Sequence, residues 1–385
     1  MIDPIKLSQD LMRCPSVTPL EAGALDVLQK VLEPLGFVCR RVTFEGNNSP
    51  AVENMVATWT SPGGEHGPHF AFAGHVDVVP VGDAKAWKHN PFGAEIENGI
   101  LYGRGASDMK TGICAFVAAA AELVQKGSPK GRISLLITCD EEGPSVNGTL
   151  PLMQLLDSEG VKFNACVVGE PCSYEKFGDM AKIGRRGSLH GYITVEGKQG
   201  HVAYPERADN PVPKLIKLLS VLEAHVIDEG MTDFQPSNLE IVTVDVGNPV
   251  MNVIPARATA KFNVRFNAQH SCASLSEHLR KVCDSAGVPY SIEFKEGAEP
   301  FLTKPGPLSV SLVKAVQEVT GEIPKLSTTG GTSDARFISR FCPVVEFGVL
   351  GTTAHQVDEH IAVEQIELLT RTYHRLLQNW FGEHV

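Results

Sequence analysis

The stretch Phe-Ala-Phe-Ala-Gly-His-Val-Asp, residues 70–77, has the pattern of a buried β-strand that runs directly into polar side chains. Side chains alternate between the two faces of a strand, so His75 and Asp77 fall on the same side. A metal-bound imidazole commonly donates its other ring N–H to a carboxylate, and Asp77 is placed to orient His75 in this way. The alternative is a hydrogen-bonded histidine in the core of the protein, with no metal.

A glycine-rich turn, Gly-Arg-Gly-Ala-Ser-Asp-Met-Lys-Thr-Gly at residues 103–112, precedes an alanine-rich helix predicted over residues 111–125. The turn lacks the GxxxxGK[ST] pattern of a phosphate-binding loop, and it does not carry GxGxxG after a strong strand. We therefore interpret it as a tight corner that presents the Asp108 carboxylate. The alternative role for Asp108 is a helix cap, which is common for aspartate just before a helix.

Acidic residues follow two further apolar stretches that are predicted strands. Residues 133–139 lead into Asp-Glu-Glu-Gly at 140–143, and residues 165–168 lead into Gly-Glu-Pro at 169–171. Like charges crowded at the end of a buried strand are costly without a cation. Two strands that deliver acids to one edge of a sheet suit a metal site outside the carboxyl ends of the strands. Taken alone, the acidic turn would be a solvated loop. The last candidate ligand is His355, which follows the apolar residues 344–347.

The order of predicted elements divides the chain into two domains. Strands and helices alternate up to about residue 181 and again from about residue 296, which predicts a three-layer α/β domain. Between them, residues 182–295 have the order strand, helix, strand, strand, helix, strand of a ferredoxin-like unit. We therefore predict a metal-binding catalytic domain of residues 1–181 and 296–385, interrupted by an inserted domain of residues 182–295.

The composition argues against several classes of protein. A formal charge of −11 without a run of Lys or Arg disfavours binding to nucleic acid or to anionic lipid. The longest mostly apolar run, residues 112–124, is shorter than the roughly 20 residues of a membrane-spanning helix. The N-terminal residues lack the pattern of a secretory signal, and the nine cysteines are scattered without a CxxC pair. We expect a cytoplasmic protein with free thiols.

The motifs GHVD, GRGASDMKTG, DEEG and GEP, together with the histidine of the last loop, resemble the M20 family of dinuclear metallohydrolases over essentially the whole chain. The resemblance implies a zinc-exopeptidase-like catalytic domain that holds two divalent cations, with Glu141 as general base. The implied ligands are His75 and Glu170 for one cation, Glu142 and His355 for the other, and Asp108 as the bridge. This donor set suits two Zn2+ ions, with Co2+ or Mn2+ as substitutes.

Further strings resemble those members of the family that hydrolyse N-succinyl-LL-2,6-diaminopimelate to succinate and LL-2,6-diaminopimelate. The strings are GRRGS (184–188), QGHVAYP (199–205), NVIPA (252–256), FLTKPG (301–306) and GGTSDARF (330–337). This chain has Gly351 and Met251 where some of these relatives carry asparagine. The two departures concern recognition of the amino-acid end of the substrate more than amide hydrolysis itself.

The implied substrate is a net anion, whereas the chain is acidic, so local cations must attract it. A planar guanidinium group matches a carboxylate bidentately, which makes Arg185 and Arg265 the preferred partners and Lys182 a further candidate. The alternative is a surface arginine without a binding role, above all for Arg186 and Arg336.

The resemblance also implies a homodimer. In the family, the histidine equivalent to His201 crosses the dimer interface and donates a hydrogen bond to the oxyanion in the partner's site. Monomers would then be inactive even with both cations bound. Tyr204 and Thr332 match substrate-contacting positions, with Gly331 beside the latter, and the alternative for these residues is support of their own loops.

Two rival functions remain. One is another M20 activity, such as acetylornithine deacetylase or an aminoacylase, with the same cations and a different acyl group. The other is a non-catalytic protein that binds a small molecule and keeps the two-domain shell. The complete set of acids and histidines argues against this second rival, since loss of chemistry usually leaves at least one such residue replaced.

Overall fold

The computed structural model describes residues 2–46, 48–126 and 130–382. The α-helices are α1 (Pro4–Met12), α2 (Ala24–Leu32), α3 (Lys110–Gln125), α4 (Thr149–Ser158), α5 (Pro211–Glu223), α6 (Cys272–Asp284), α7 (Pro307–Thr320), α8 (Ala335–Ile338) and α9 (Val363–Gly382). The strands are β1 (Val38–Gly46), β2 (Ser49–Thr60), β3 (His69–His75), β4 (Glu95–Glu97), β5 (Ile100–Tyr102), β6 (Arg132–Thr138), β7 (Ala165–Val168), β8 (Met180–Lys182), β9 (Gly184–Arg185), β10 (Gly187–Glu196), β11 (Gly200–His201), β12 (Asn238–Asp245), β13 (Val253–Ile254), β14 (Arg257–Phe266), β15 (Ser291–Ala298), β16 (Phe301–Leu302), β17 (Lys325–Ser327), β18 (Val344–Glu346) and β19 (His360–Ala362). Within the described ranges, none of the helices combines the length and the apolar character that crossing a bilayer requires.

A mixed eight-stranded sheet lies at the centre of the larger of two compact units, with the order β1-β2-β6-β3-β7-β18-β8-β17. Strands β6, β3, β7 and β18 run parallel, whereas β1 and β2 are antiparallel to their neighbours. Every residue of β3 and β7 is buried. A parallel strand covered on both faces needs a nearly continuous apolar sequence, and both strands have one. The predicted α/β fold class is confirmed.

Helix α3 is buried over most of its length, including every residue from Lys110 to Ala121. Its alanines let other elements pack closely, and its Phe116 ring stacks on that of Phe72 in β3, with ring centroids 4.4 Å apart. Tyr373 of α9 extends this cluster at 5.6 Å from Phe116. Each aromatic side chain of this kind buries about 150–250 Å2, so the cluster contributes strongly to the hydrophobic core.

The carboxyl ends of β3, β6 and β7 meet at one edge of the sheet because these strands are parallel neighbours. Strand β3 ends at His75, Glu141 and Glu142 follow β6, and Glu170 follows β7. The fold therefore collects imidazole and carboxylate groups from distant parts of the sequence at one edge.

A small sheet of β19, β5 and β4 was not predicted from the sequence. Its strands have three residues each, which is too short for an alternating pattern to stand out. Strand β19 pairs with β5, with His360 opposite Tyr102. The Gly103 N–H donates to the backbone carbonyl of Glu359 at 2.8 Å, so the residue before β19 lies beside the glycine-rich turn.

The smaller unit contains the four-stranded antiparallel sheet β12-β14-β10-β15 and the helices α5 and α6. Along the chain the order is β10, α5, β12, β14, α6, β15, which is the predicted ferredoxin-like order. The helices and strands share a buried core that includes Leu189, Leu218, Phe262 and Leu279. Strand β10 alternates buried and less buried residues, as expected for a sheet with one covered face.

The two units divide the chain at somewhat different positions from those expected at residues 182 and 295. The larger unit comprises Met1–Ile183, Thr303–Ser327 and Ser333–Val385, and the smaller comprises Gly184–Leu302 and Thr328–Thr332. The smaller unit extends past residue 295 because β16 pairs with β9, with Phe301 opposite Arg185. The short segment from Thr328 also belongs to it, since the Thr328 hydroxyl donates to the backbone carbonyl of Asp233 at 2.5 Å.

Candidate metal centre

The candidate ligands and the candidate base come together within the larger unit. In sequence, Asp108 lies just before α3, and His355 lies in the loop between β18 and β19. Helix α3 approaches the end of β7 very closely, because a Cβ atom added to Gly112 would meet the carbonyl oxygen of Gly169 at 2.7 Å. Only glycine permits this approach, which brings the start of α3 next to the turn that carries Glu170.

One half of the centre consists of His75, Asp108 and Glu170, whose ligand atoms lie within 4.8 Å of one another. His75 Nε2 is 3.2 Å from Asp108 Oδ1 and 3.7 Å from Glu170 Oε1. The His75 side chain is only 1% exposed. A buried imidazole that faces two carboxylates is a suitable donor set for a divalent transition metal.

The other half consists of Asp108, Glu142 and His355, whose ligand atoms also lie within 4.8 Å of one another. His355 Nε2 lies 2.7 Å from Glu142 Oε1 and 3.3 Å from Asp108 Oδ2. Asp108 thus turns one carboxylate oxygen towards each imidazole, which is the arrangement that a bridging ligand requires. The His355 side chain is 49% exposed, so this half of the centre is open to solvent.

Three acids at the centre, Glu170, Glu141 and Asp108, have pKa values far from their usual range. Burial, reinforced by the charge of Asp108, raises the pKa of Glu170 well above that range. Burial also raises the pKa of Glu141, against the opposing effect of His75. For Asp108, hydrogen bonds from His355 and His75 outweigh burial and hold the pKa below its usual range. Crowded carboxylates of this kind are stabilised when a cation binds among them.

The residues present fit a pair of divalent cations. Glu170 Oε1 is buried and has no hydrogen-bond partner within the described part of the chain, although it faces His75 Nε2. A buried carboxylate oxygen in this state is costly unless a cation binds it. Two imidazoles and three carboxylates form a donor set that zinc accepts readily and that cobalt or manganese can also use.

Asp77 reaches His75 by a different route from the expected one. His75 Nδ1 lies 2.9 Å from the backbone carbonyl oxygen of Asp77, whereas the Asp77 carboxylate is 3.6 Å from the same atom. The carboxylate instead accepts the backbone N–H groups of Glu141 and Glu142 at 3.3 and 3.1 Å. The main chain of Asp77 therefore orients His75, while its side chain fixes the turn that carries the two glutamates. Burial raises the pKa of Asp77 to about 6.

Glu141 lies beside the proposed ligands, close enough to be a ligand itself. Its carboxylate lies close to His75 and Glu142, but it belongs to neither of the two groups that share Asp108. Its position is fixed through its backbone N–H, which the Asp77 carboxylate holds. Its role in proton transfer stays a prediction.

Arg185 is buried in the smaller unit and donates from Nη1 to the backbone carbonyl of Thr329 at 3.2 Å. The loop that continues to Gly331 and Thr332 packs against this guanidinium group. Gly330 has a φ of +103°, and a Cβ atom added there would meet Arg185 Nη1 at 2.5 Å. The structure thus brings three predicted substrate-binding residues, Arg185, Gly331 and Thr332, into one region of the smaller unit.

Two further predicted substrate-binding cations are at least partly buried. Lys182, in β8 of the larger unit, is 6% exposed and directs its Nζ to the Met180 sulfur at 2.8 Å. Arg265, in β14 of the smaller unit, lies opposite Ser188, and burial lowers its pKa. Partial burial strengthens the attraction of a guanidinium group for a carboxylate, so the prediction for Arg265 is retained.

His201 and Tyr204 are both exposed on the smaller unit, with ring centroids 5.6 Å apart. His201 Nδ1 accepts the backbone N–H of Ala203 at 3.0 Å, so in the neutral ring the hydrogen is on Nε2. A neutral His201 therefore offers Nε2–H as a hydrogen-bond donor. Its contact with an oxyanion, and that of Tyr204 with substrate, stay predictions.

Sequence reasoning did not single out Arg104 and Glu359, which form a buried ion pair at 2.7 Å next to Asp108. Arg104 lies inside the glycine-rich motif, so its position was visible although its role was not. Glu359 lies 255 residues further along the chain, and nothing in its local sequence connects it to the centre.

A model of the peptidase family M20/M25/M40 matches residues 71–379, a range that contains all the candidate ligands and the candidate base. The chain therefore belongs to this peptidase family.

The relatives of this chain include two enzymes named succinyl-diaminopimelate desuccinylase. The enzyme of Parvibaculum lavamentivorans is 52% identical over 384 residues, which cover 99% of this chain and 96% of the relative. That of Rhodospirillum centenum is 51% identical over 381 residues, which cover 99% of this chain and 98% of the relative.

Solved structures share the fold at low sequence identity. An M20 family metallo-carboxypeptidase from Sulfolobus solfataricus has a TM-score of 0.78 at 19% identity, with 99% of this chain and 100% of that chain covered. A dinuclear metal-binding M20 peptidase from Bacillus subtilis has a TM-score of 0.71 at 16% identity, with 99% and 98% covered.

Proposed function

We propose that the chain hydrolyses N-succinyl-LL-2,6-diaminopimelate to succinate and LL-2,6-diaminopimelate. The observation that carries the hydrolytic part is Asp108, whose two carboxylate oxygens face the imidazoles of His75 at 3.2 Å and His355 at 3.3 Å. The choice of substrate is supported by the Parvibaculum relative, which is 52% identical over 99% of the chain.

The proposed cofactor is a pair of Zn2+ ions, for which Co2+ or Mn2+ can substitute. His75 and Glu170 would hold one ion, Glu142 and His355 the other, and Asp108 both. When bound, the pair supplies the positive charge that makes a water molecule acidic near neutral pH and polarises the amide carbonyl.

Glu141 accepts the proton of that water and returns it to the leaving amine. The new C–O bond forms first and moves the carbonyl electron pair onto oxygen. Collapse of this oxyanion then breaks the amide C–N bond, so the water oxygen ends in the succinate carboxylate and the proton on the amine nitrogen. The main-chain carbonyl of Asp77 keeps His75 in the tautomer that presents Nε2, and the Asp77 side chain keeps Glu141 in place.

Residues of the smaller unit are proposed to bind the anionic substrate. Arg185 and Arg265 pair with its carboxylates, and Tyr204, Gly331 and Thr332 contact the remainder, while Lys182 of the larger unit adds positive charge. We further propose a cytoplasmic homodimer in which His201 of one protomer donates a hydrogen bond to the oxyanion formed in its partner. No nucleic acid or membrane is proposed as a partner.

A substrate panel tests the proposal. Purified protein supplied with Zn2+ or Co2+ is assayed on N-succinyl-LL-2,6-diaminopimelate, N-succinylornithine and N-acetylornithine, with Glu141→Gln as the inactive control. We expect the highest kcat/KM for the first compound. A preference for N-acetylornithine would reassign the chain to another activity of the same family. Metal-loaded protein that binds these compounds without any turnover would identify a binding protein instead.

A further inference from the structure

The ion pair between Arg104 and Glu359 is buried almost completely. Arg104 Nη1 lies 2.7 Å from Glu359 Oε2, and the two side chains are 3% and 0% exposed. Neither residue belongs to the proposed ligands. Because removing two charges from water is costly, such a pair persists only when further hydrogen bonds complete it.

The remaining hydrogen bonds of Glu359 are made to the backbone that carries Asp108. Glu359 Oε1 accepts the N–H of Ser107 at 2.9 Å and the N–H of Asp108 at 3.1 Å. The Ser107 hydroxyl also donates to the backbone carbonyl of Leu350 at 2.9 Å. Glu359 therefore fixes the main chain at Asp108, the residue whose carboxylate faces both imidazoles.

Two of the three remaining hydrogen bonds of Arg104 are made to the loop that carries His355. Arg104 Nη1 donates to the carbonyl of Gln356 at 3.2 Å, and Nη2 reaches the carbonyls of Pro80 at 3.3 Å and His355 at 3.5 Å. His355 has a φ of +63°, a left-handed conformation that is unfavourable for a residue other than glycine. Donors on its carbonyl help to hold it in that conformation.

The pair thus connects two residues that are separated by hundreds of positions in sequence. Glu359 Oε1 accepts the backbone N–H of Asp108, and the Arg104 guanidinium group donates to the backbone carbonyl of His355. We infer that Arg104 and Glu359 are positioning residues that set the separation between the bridging carboxylate and the terminal histidine, and thereby the affinity for the cation between them. This inference rests on the two-cation centre proposed above.

A double variant separates positioning from simple stabilisation. Arg104→Met or Glu359→Met alone leaves one buried charge unpaired, so each single variant should be destabilised strongly. The double variant R104M/E359M leaves no unpaired charge and should regain stability relative to either single variant. It still lacks every contact to Asp108 N–H and the His355 carbonyl, so its metal affinity should stay low. If the pair were merely structural, metal affinity would recover together with stability.

The measurement is a titration of Zn2+ alone into chelator-treated protein with a competing indicator, alongside thermal unfolding of the same metal-free samples. We expect the double variant to bind one of the two equivalents about tenfold or more weakly than wild type. Ser61→Ala is the matched control, because it removes a buried hydrogen bond to the Gly131 N–H at 2.8 Å in the same unit without touching the centre. The Ser61→Ala variant should lose stability but bind both equivalents of Zn2+ with wild-type affinity.

Wild-type affinities in the folded double variant would overturn the inference. If the double variant does not fold, the same titration is made on Arg104→Lys, which keeps the charge but cannot reach all the carbonyls. It should bind Zn2+ more weakly, whereas Ser61→Ala, which only loses stability, should not, and an unchanged affinity of Arg104→Lys would also overturn the inference. A wild-type protein that does not bind two equivalents would instead contradict the proposed function itself.

Discussion

The buried carboxylate of Asp77 accepts the backbone N–H of Glu142 at 3.1 Å. The same carboxylate accepts the N–H of Glu141 at 3.3 Å, so one side chain positions both a proposed ligand and the proposed base. An aspartate next to a metal-binding histidine is usually interpreted through its contact with the imidazole. Here its second contact, with the acidic turn, has the more direct consequence for the chemistry.

Asp77→Asn should lower kcat about 10–100-fold while His75 keeps its orientation, because the backbone carbonyl that binds Nδ1 is unchanged. The new amide can accept only one of the two N–H groups, and its own N–H would face the other. The measurement is kcat together with metal content. Asp83→Asn is the control, since exposed Asp83 caps a short helical turn by accepting the Lys85 N–H at 2.9 Å. Equal kcat values in both variants would refute this role.

Glu141→Gln should retain both cations and lose about 10²–10⁴-fold in kcat, because an amide cannot accept the proton. Glu142→Gln should instead lose bound metal, because it removes a proposed ligand. Metal content by elemental analysis and single-turnover rates distinguish the two. Loss of metal from the Glu141 variant would exchange the assigned roles.

A mixing experiment tests whether His201 acts across a dimer interface. Glu141→Gln and His201→Ala should each be nearly inactive alone, and the two variants are unfolded and refolded together. If His201 serves its partner, one site of every hybrid dimer has both residues intact, and about a quarter of wild-type activity should return. If His201 serves its own protomer, no hybrid site is complete, and no activity returns.

The buried imidazole of His69 should make the stability of the larger unit depend on pH. Its Nδ1 lies 3.1 Å from the Lys162 carbonyl and its Nε2 lies 2.7 Å from the Ser134 hydroxyl. Burial lowers the pKa of His69 from 6.5 to about 4, so the unfolded chain binds more protons between these values. The contribution of His69 to the free energy of unfolding is therefore fully present above about pH 6.5 and is lost as the pH falls towards 4. The total loss is on the order of 3 kcal/mol.

Urea unfolding of chelator-treated wild type and His69→Gln, at several pH values between 7 and 4, measures this contribution. The difference in free energy of unfolding between the two proteins should shrink as the pH falls. A difference that stays constant over this range would show that His69 is not protonated on unfolding.

The strand ends were the most predictable part of the molecule. Residues 70–75, 133–139 and 165–168 are long enough, and apolar enough, to indicate buried parallel strands, and the polar residues after them mark one edge of the sheet. Helix α3 begins at Lys110, one residue before the predicted start at residue 111, and it ends at the predicted Gln125. Local periodicity therefore sufficed where elements were long.

Contacts between distant segments could not be predicted from local patterns. The pairing of β19 with β5 depends on three-residue strands, and Glu359 reaches Ser107 only because of that pairing. The route from Asp77 to the acidic turn likewise depends on how β3 and β6 are aligned. Strand alternation placed Asp77 on the correct side of β3 but could not report which of its atoms meets His75.

Anomalous diffraction from crystals of chelator-free protein loaded with Zn2+ tests the central claim most directly. We expect two anomalous peaks, one beside His75 and Glu170 and one beside Glu142 and His355, with Asp108 contacting both. No peak at these side chains, or two ions bound elsewhere in an enzyme that is fully active, would contradict the assignment of the metal centre.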